Sequence, residues 1–348
     1  MLRFVSSITS GRSAAGLASA MIVTAMVSGA AAAETAIRFS LDFGFEGPSA
    51  PFLLPFDKGY YKSEGLDVSL EPSANSLQTL KQVASGAFDM GFCDINALIK
   101  FRDANAEMPV TAVFMVYNRP PFAVVGRKSR GVSLPKDLEG KKLGAPALDE
   151  TYAQWPIFVQ ANGIDGGKVT IENVGFPVRN PMLAAGQLDA ITGFSFSLFI
   201  NLKDKGVPVN DISVLLMADY GVDLYGHAIV VNPKFAAAHP EAVKGFLRAF
   251  AKGLKETVKQ PASAIEAVLR RNDAAKKDVE VERLRMAIRD NIVTPEVKAN
   301  GYGGIDNARF ARAVEQIALT YKFKTAKPKP QDVFDASYLP PAADRKVN

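Results

Sequence analysis

Residues 41–68 read LDFGFEGPSAPFLLPFDKGYYKSEGLDV, and their reading decides the fold, because one unit carries a strand end, a loop, a helix and the start of a second strand. Residues 38–41 end a short apolar strand, 42–51 are a Gly/Pro/Ser-rich turn, 52–61 are apolar at helical spacing, and Ser63, Glu64 and Gly65 stop the helix. Residues 66–70 then alternate as a strand does. The turn holds two large apolar side chains, Phe43 and Phe45, beside the acids Asp42 and Glu46. A single loop aromatic is as well explained by packing under the loop, but the loop aromatics of the chain as a set favour a flat or apolar ligand.

The same grammar runs outward from this unit. Residues 73–76 cap a helix with Leu77, Leu80, Val83 and Ala84 on one face and Gly86 at its end, and Asp89 opens the next strand. A helix over 97–105 and strands over 111–117 and 122–126 follow. This alternation predicts an α/β fold with doubly wound lobes, each a parallel sheet covered on both faces. At Gly126 the composition breaks into Arg127-Lys128-Ser129-Arg130-Gly131, and a second unit begins: a helix over 152–160, a strand over 169–174, a loop over 176–180, a short helix from Pro181 capped by Asn180, and a strand from Asp189. The pair Gly86-x-x-Asp89 and Gly186-x-x-Asp189 repeats in matching contexts. We therefore expect two lobes joined by a hinge, 34–125 with 228–348 and 126–227, with residues 207–217 and 225–231 carrying the chain back to the first. The helix from Pro240 has Val243, Phe246, Leu247, Phe250 and Leu254 inward and Lys244, Arg248, Lys252, Lys255 and Lys259 outward, which reads as a solvated face.

Residues 1–33 read differently from the rest. Arg3 and Arg12, an Ala/Gly-rich apolar segment and Ala31-Ala32-Ala33 before Glu34 have the form of a secretory signal peptide cleaved after Ala33, so a periplasmic, exported protein is expected; a membrane anchor is the alternative. The formal charge of +5 is scattered over helix faces without an aromatic-basic cluster, which speaks against nucleic acid. Cys93 is the single cysteine, so no internal disulfide can form.

The chemistry of catalysis is sparse. Gly301-Tyr302-Gly303-Gly304 is not a nucleotide-binding glycine loop, and the two histidines, His227 and His239, lack the company of a metal site, so neither cofactor nor metal is expected. A Cys93–His227 nucleophilic pair competes with the simpler reading of Cys93 as a small packed residue. In a two-lobe α/β fold the carboxyl ends of the strands face one crevice. The segments that should reach it are 42–49, 73–76, 93–96, 118–119, 148–155, 176–180, 194–197 and 223–227. They carry Asp42, Phe43, Phe45, Glu46, Asn75, Cys93, Asp94, Arg119, Tyr152, Trp155, Arg179, Asn180, Phe194, Phe196 and Tyr225, our candidate ligand-binding residues. Acids outnumber Arg119 and Arg179 there. A bare anion would meet like charges, whereas a neutral or amine-bearing ring fits.

Asp42 with Gly59-Tyr60-Tyr61-Lys62-x-Glu64-Gly65-Leu66-Asp67-Val68, both G-x-x-D units, and Pro135-x-Asp137-Leu138-x-Gly140-Lys141-Lys142-x-Gly144 resemble the periplasmic solute-binding proteins of ABC importers for sulfonates, taurine, nitrate and thiamine pyrimidine precursors. Residues 219–225, DYGVDLY, resemble the pyrimidine-precursor branch. The resemblance implies two hinged lobes that close over a solute, a membrane permease as partner, a monomer and no catalysis. Phe43, Phe45 and Trp155 would stack on a ring, Asp42 and Glu46 would accept hydrogen bonds, and Arg179 and Tyr225 would close the second side. The related eukaryotic pyrimidine synthases carry Trp and His where Phe43 and Ser49 stand, and a cysteine-rich run missing here. The alternatives are a sulfonate, taurine or nitrate receptor of the same fold and an enzyme of pyrimidine synthesis.

Overall fold

The computed structural model describes residues 33–347. The expected leader falls on 1–33 and lies, Ala33 apart, outside the described residues. In chain order the strands are β1 (Thr35–Leu41), β2 (Leu66–Pro72), β3 (Met90–Asp94), β4 (Thr111–Met115), β5 (Phe122–Arg127), β6 (Lys142–Ala145), β7 (Thr170–Asn173), β8 (Ala190–Phe194), β9 (Ile212–Leu216) and β10 (His227–Val231). The helices that position the site are α1 (Ala50–Asp57), α2 (Ser76–Ser85), α3 (Ile95–Ala104), α4 (Trp155–Ala161), α5 (Phe176–Ala184), α6 (Ser195–Asp204), α7 (Pro240–Lys259), α8 (Lys277–Ala287) and α9 (Asn307–Ala318).

Two five-stranded sheets result, in the orders β2-β1-β3-β10-β4 and β7-β6-β8-β5-β9. The orders correspond strand for strand, but neither sheet is wholly parallel. β10 runs antiparallel to β3 and β4, and β5 antiparallel to β8 and β9. The cause is the route of the chain. It leaves each sheet at the edge facing the other sheet, crosses at 116–121 and again at 217–226, and so begins β5 and β10 at that facing edge. A strand that starts there must oppose those that finish there. Two expected boundaries move accordingly. The strand at 122–127 belongs to the second sheet, not the first, and the strand within 207–217 is that sheet's own outer strand.

The repeated G-x-x-D has a common structural task. Gly86 and Gly186 end α2 and follow α5 with φ of 78° and 74°, a left-handed turn that costs a side-chain-bearing residue about 1–2 kcal/mol. Asp89 then accepts the backbone N–H of Arg38 in the adjacent parallel strand at 2.8 Å, and Asp189 accepts that of Lys142 at 2.9 Å. Each acid is also paired with an arginine, Arg38 and Arg130, both at 2.9 Å. The motif thus closes the far edge of each sheet, away from the crossings.

The apolar stripe of α7 covers the first sheet as its periodicity predicts. Phe246 stacks on Phe39 at 5.0 Å, and Phe250 meets Phe52 of α1 at 4.6 Å. Each such fully buried ring contributes roughly 1.5–3 kcal/mol. The basic face of α7 is less free than expected: Arg248 binds Glu64 at 2.7 Å, and Lys252 sits 3.9 Å over the Tyr60 ring. In the second lobe, residues 176–180 are helical, because Gly175 and Pro177 already supply a helix start, and Pro181 lies inside α5 instead of opening it.

Candidate functional site

β1 ends at Leu41, so Asp42 leaves the first sheet at the edge facing the second. Its Oδ2 accepts the Ser76 hydroxyl at 2.8 Å and stands 2.9 Å from His227 Nε2. Both side chains of this pair are fully buried. His227 is the first residue of β10 and lies opposite Asp94, the last of β3. Asp94 caps α3 through the N–H groups of Asn96 and Ala97, and its own N–H donates to Ser76 Oγ at 2.9 Å. Burial opposes the imidazolium, yet Asp42, then Asp94 and Glu150, hold the His227 pKa above its ordinary value.

The second lobe repeats this set with other residues. Asp149 accepts the Thr192 hydroxyl at 2.7 Å, the Thr151 N–H at 3.0 Å and Arg179 Nη1 at 3.4 Å. Burial raises the Asp149 carboxyl and lowers the Arg179 guanidinium, which stacks on Phe176 at 4.8 Å. Glu150 crosses the seam: its Oε1 accepts the Ser76 N–H of the first lobe at 2.8 Å. Burial first, then the neighbouring Asp42, push the Glu150 carboxyl up to about 7, against the pull of His227 and the Ser76 N–H.

Aromatic rings from both lobes enclose the centre. Phe92 and Tyr117 of the first lobe lie 5.2 and 5.3 Å from the His227 ring, and Phe194 and Phe122 of the second lie 5.2 and 6.3 Å away. The two flanks of the seam differ. One opens as a groove of about 570 Å³, with Leu77, Phe101, Met108 and Leu148 among its apolar walls and Asp94, Asp149 and Glu150 as its acids. On the other flank α6 is tied to α8 by Lys203–Glu282 at 2.6 Å and by Arg283 donating to Asn201 at 3.2 Å. A larger hollow of about 1010 Å³ lies beneath the C-terminal segment, lined by Glu296, Asp306, Asp335 and Arg345. Unlike the seam, it is bordered by the first lobe alone.

Among the expected residues, Asp42, Asp94, Arg179, Phe194 and Phe196 meet at the seam, Phe196 through Tyr117 at 6.3 Å. Phe43 lies edge-on to Phe92 at 6.0 Å, and Glu46 reaches Ser197 at 3.5 Å and Arg283 at 3.4 Å. Asn180 is buried on α5 with its side-chain oxygen unpartnered. The others are engaged elsewhere. Phe45 packs toward the C-terminal helices, its carbonyl accepting from Asn272; Asn75 caps α2 by accepting from Gln78; Arg119 pairs with Asp219 on the crossing. Tyr152 packs against the core, and Trp155 is buried against Phe158. Tyr225 donates to Glu296 at 2.7 Å under the Arg309 guanidinium, so it braces the crossing and does not close the second side. Cys93 is fully buried, and burial with the nearby acids pushes its thiol well up, which removes the nucleophile of a Cys–His pair.

Ser76, Tyr117, Asp149, Glu150, Thr192 and His227 complete the centre; Ser76, Asp149, Glu150 and His227 lie in segments expected at the crevice, but none of the six was among the candidate ligand-binding residues. For His227 the signal was present: a polar residue heads the apolar run HAIVV. Only the antiparallel direction of β10 places that first residue at the facing edge.

A family model described as NMT1/THI5 like matches residues 48–264. The chain is 25% identical over 221 residues to the riboflavin-binding protein RibY of Chloroflexus aurantiacus, covering 63% of this chain and 62% of that one. It is 28% identical over 242 residues to the formylaminopyrimidine-binding protein of Halalkalibacterium halodurans, covering 67% and 70%. It is also 25% identical over 226 residues to the 4-amino-5-hydroxymethyl-2-methylpyrimidine phosphate synthase of Schizosaccharomyces pombe, covering 61% and 62%. The matches thus span about two thirds of these relatives' lengths. In architecture the chain shares the fold of the periplasmic aliphatic sulphonate-binding protein SsuA of Escherichia coli, with a TM-score of 0.69 at 14% identity over 87% of this chain and 99% of that one. Among the described residues no helix is long and apolar enough to cross a membrane.

Proposed function

The chain belongs to the NMT1/THI5-like family, and we propose that it is the solute-binding receptor of an ABC importer, exported from the cytoplasm, that closes two lobes over a small nitrogenous ring and hands it to a membrane permease. The observation that carries this reading is the seam, where matching sheet edges from two lobes meet around an acid-rich, aromatic-walled centre. Contacts that span it, Ser76 with Glu150 and Glu46 with Ser197, exist only when the lobes are together. A solute touching both lobes shifts the open–closed balance by its extra affinity for the closed form.

Buried carboxyls at Asp42, Asp94 and Asp149, with the half-buried Glu150, face His227 and Arg179. Such a centre disfavours sulfonate or nitrate and suits a ring that offers N–H groups. The formylaminopyrimidine-binding relative supports this choice. Melting of the purified protein against pyrimidines, flavins, sulfonates and nitrate tests it, since a true ligand at 100 times Kd adds about 2.7 kcal/mol. Stabilisation by taurine or nitrate alone would overturn the ring reading. The likeness to a pyrimidine phosphate synthase supports a second reading as an enzyme; consumption of the ring by the purified protein would establish it in place of the first.

A further inference from the structure

The groove on the open flank of the seam encloses about 570 Å³. Pockets that hold small molecules measure roughly 300–1,000 Å³, so it has room for one. None of Asp42, Tyr117, His227 or Phe194 lines it, which sets it outside the aromatic enclosure of the centre. Helices α2 and α3 of the first lobe form one wall, and residues 147–154 of the second lobe form the other.

The spacing on α3 gives the groove its length. From Asp94, which caps the helix, Ala97, Phe101 and Ala104 follow at steps of three and four residues along one face. At the rise of an α-helix this row spans about 15 Å. The small side chains at 97 and 104 leave a trough, and Leu77 and Leu148 stand over it 37% and 63% exposed. An elongated apolar body laid there would take both leucines out of water.

The Asp94 end is polar and short of positive charge. Asp94 is occupied in capping α3, and Asp149 in holding Arg179. Glu150 accepts the Ser76 N–H, yet burial and Asp42 push its carboxyl up to about 7, the behaviour of an acid without a cation close enough to keep it ionised. Lys100, partway along the groove, responds to Asp94 and rests over the Tyr321 ring at 5.7 Å, and Lys81 is exposed at the rim. Gln154 also lines the groove and is only 1% exposed. Its amide nitrogen donates to the Glu150 carbonyl at 3.2 Å, while its oxygen is buried without a partner. Buried acceptors are nearly always paired, and the last torsion of a glutamine is soft enough to turn this one toward a donor in the groove.

We propose that the groove is a second binding site, for a primary amine on an elongated apolar body, whose ammonium donates to Glu150 and Gln154 and whose body lies along α3 under Leu77 and Leu148. It goes beyond the receptor reading and stands or falls apart from it. Both lobes supply its walls, so an occupant bridges them and favours the closed arrangement.

4-Phenylbutylamine and 4-phenylbutan-1-ol share a body and differ in the head group. Calorimetric titration of the purified protein should give a dissociation constant at least about tenfold lower for the amine. Gln154→Met, which keeps the bulk and removes the amide, should shrink that preference to less than about threefold. Ala104→Trp, which fills the end of the groove away from the centre, should weaken both probes at least about tenfold. If Ala104→Trp fails to fold, Leu148→Lys on the opposite wall carries the test by weakening the amine more than the alcohol. Equal affinity for the two heads, or amine binding unmoved by these variants, overturns the site. Amine binding lost in Ala104→Trp while pyrimidine binding persists supports two sites; loss of both together marks one shared site and overturns the proposal, leaving the receptor reading in place.

Discussion

His227 and Phe122 hold the same place in two corresponding sheets. Each is the first residue of the antiparallel strand, His227 opposite Asp94 and Phe122 opposite Phe194, and their rings meet across the seam at 6.3 Å. Each lobe brings an acid, a hydroxyl and a basic side chain to the seam: Asp42, Ser76 and His227 itself in the first, Asp149, Thr192 and Arg179 in the second. The difference is which cation can give up its proton. Arg179 cannot, so its lobe carries a fixed pair; His227 can, so the first lobe carries a titratable one. A shared scaffold therefore gives the two faces of one cleft different electrical stiffness.

The sharpest test removes each acid in turn. Asp149→Ala leaves the permanent buried charge of Arg179 with only Glu150 to offset it and should cost about 3–5 kcal/mol in urea unfolding. Asp42→Ala should cost less, about 1–3 kcal/mol, because the imidazole can become neutral. Equal losses would break the comparison.

Next in size is the pH response. Glu150 has its carboxyl raised to about 7 by burial and Asp42, so its protonated form favours the folded state. That contribution is full below the ordinary carboxyl range near 4.5 and is lost as pH rises through about 7. His227, raised by Asp42, likewise contributes fully below the ordinary imidazole value, and its share is lost as pH rises through the raised one. Stability should fall from pH 5 to pH 8, and Glu150→Gln should flatten the fall and add on the order of 2 kcal/mol at pH 8. A wild-type curve that rises over this range would refute the assignment.

Smaller again is the pair of left-handed glycines. Gly86→Ala and Gly186→Ala should each cost about 1–2 kcal/mol. The second should cost more, because a Cβ at Gly186 would stand 2.8 Å from Arg130 Nη1, whereas at Gly86 the nearest atom is 3.9 Å away. Lys203→Ala, on the tied flank, should change stability by less than about 1 kcal/mol, and by less still in high salt, since that pair is exposed.

Much of the fold was legible because its signals are local. The helix stops at Gly86 and Gly186, the apolar stripe of α7 and the cap within residues 73–76 each depend on neighbours within a few residues. The direction of β5 and β10 was not legible, since it follows from where the chain crosses and leaves no mark in alternation. The site suffered from the same gap. Asp42 and Phe194 sit at strand ends that local reading could find, but His227 reaches them only through strand direction. Trp155 and Tyr225 misled because an aromatic near a loop reads alike whether it faces a cleft, as Phe194 does, or fills the core, as Trp155 does.

The double crossing also orders assembly in time. Residues 122–216 hold every strand of the second sheet without interruption, whereas the first sheet needs β10 between β3 and β4, and β10 follows the whole second lobe. In a chain emerging from its N-terminus, β4 has no strand partner until some hundred residues later, so the sheet that is begun first is finished last. The first sheet becomes continuous only when one five-residue strand lies between β3 and β4, and that strand begins with His227.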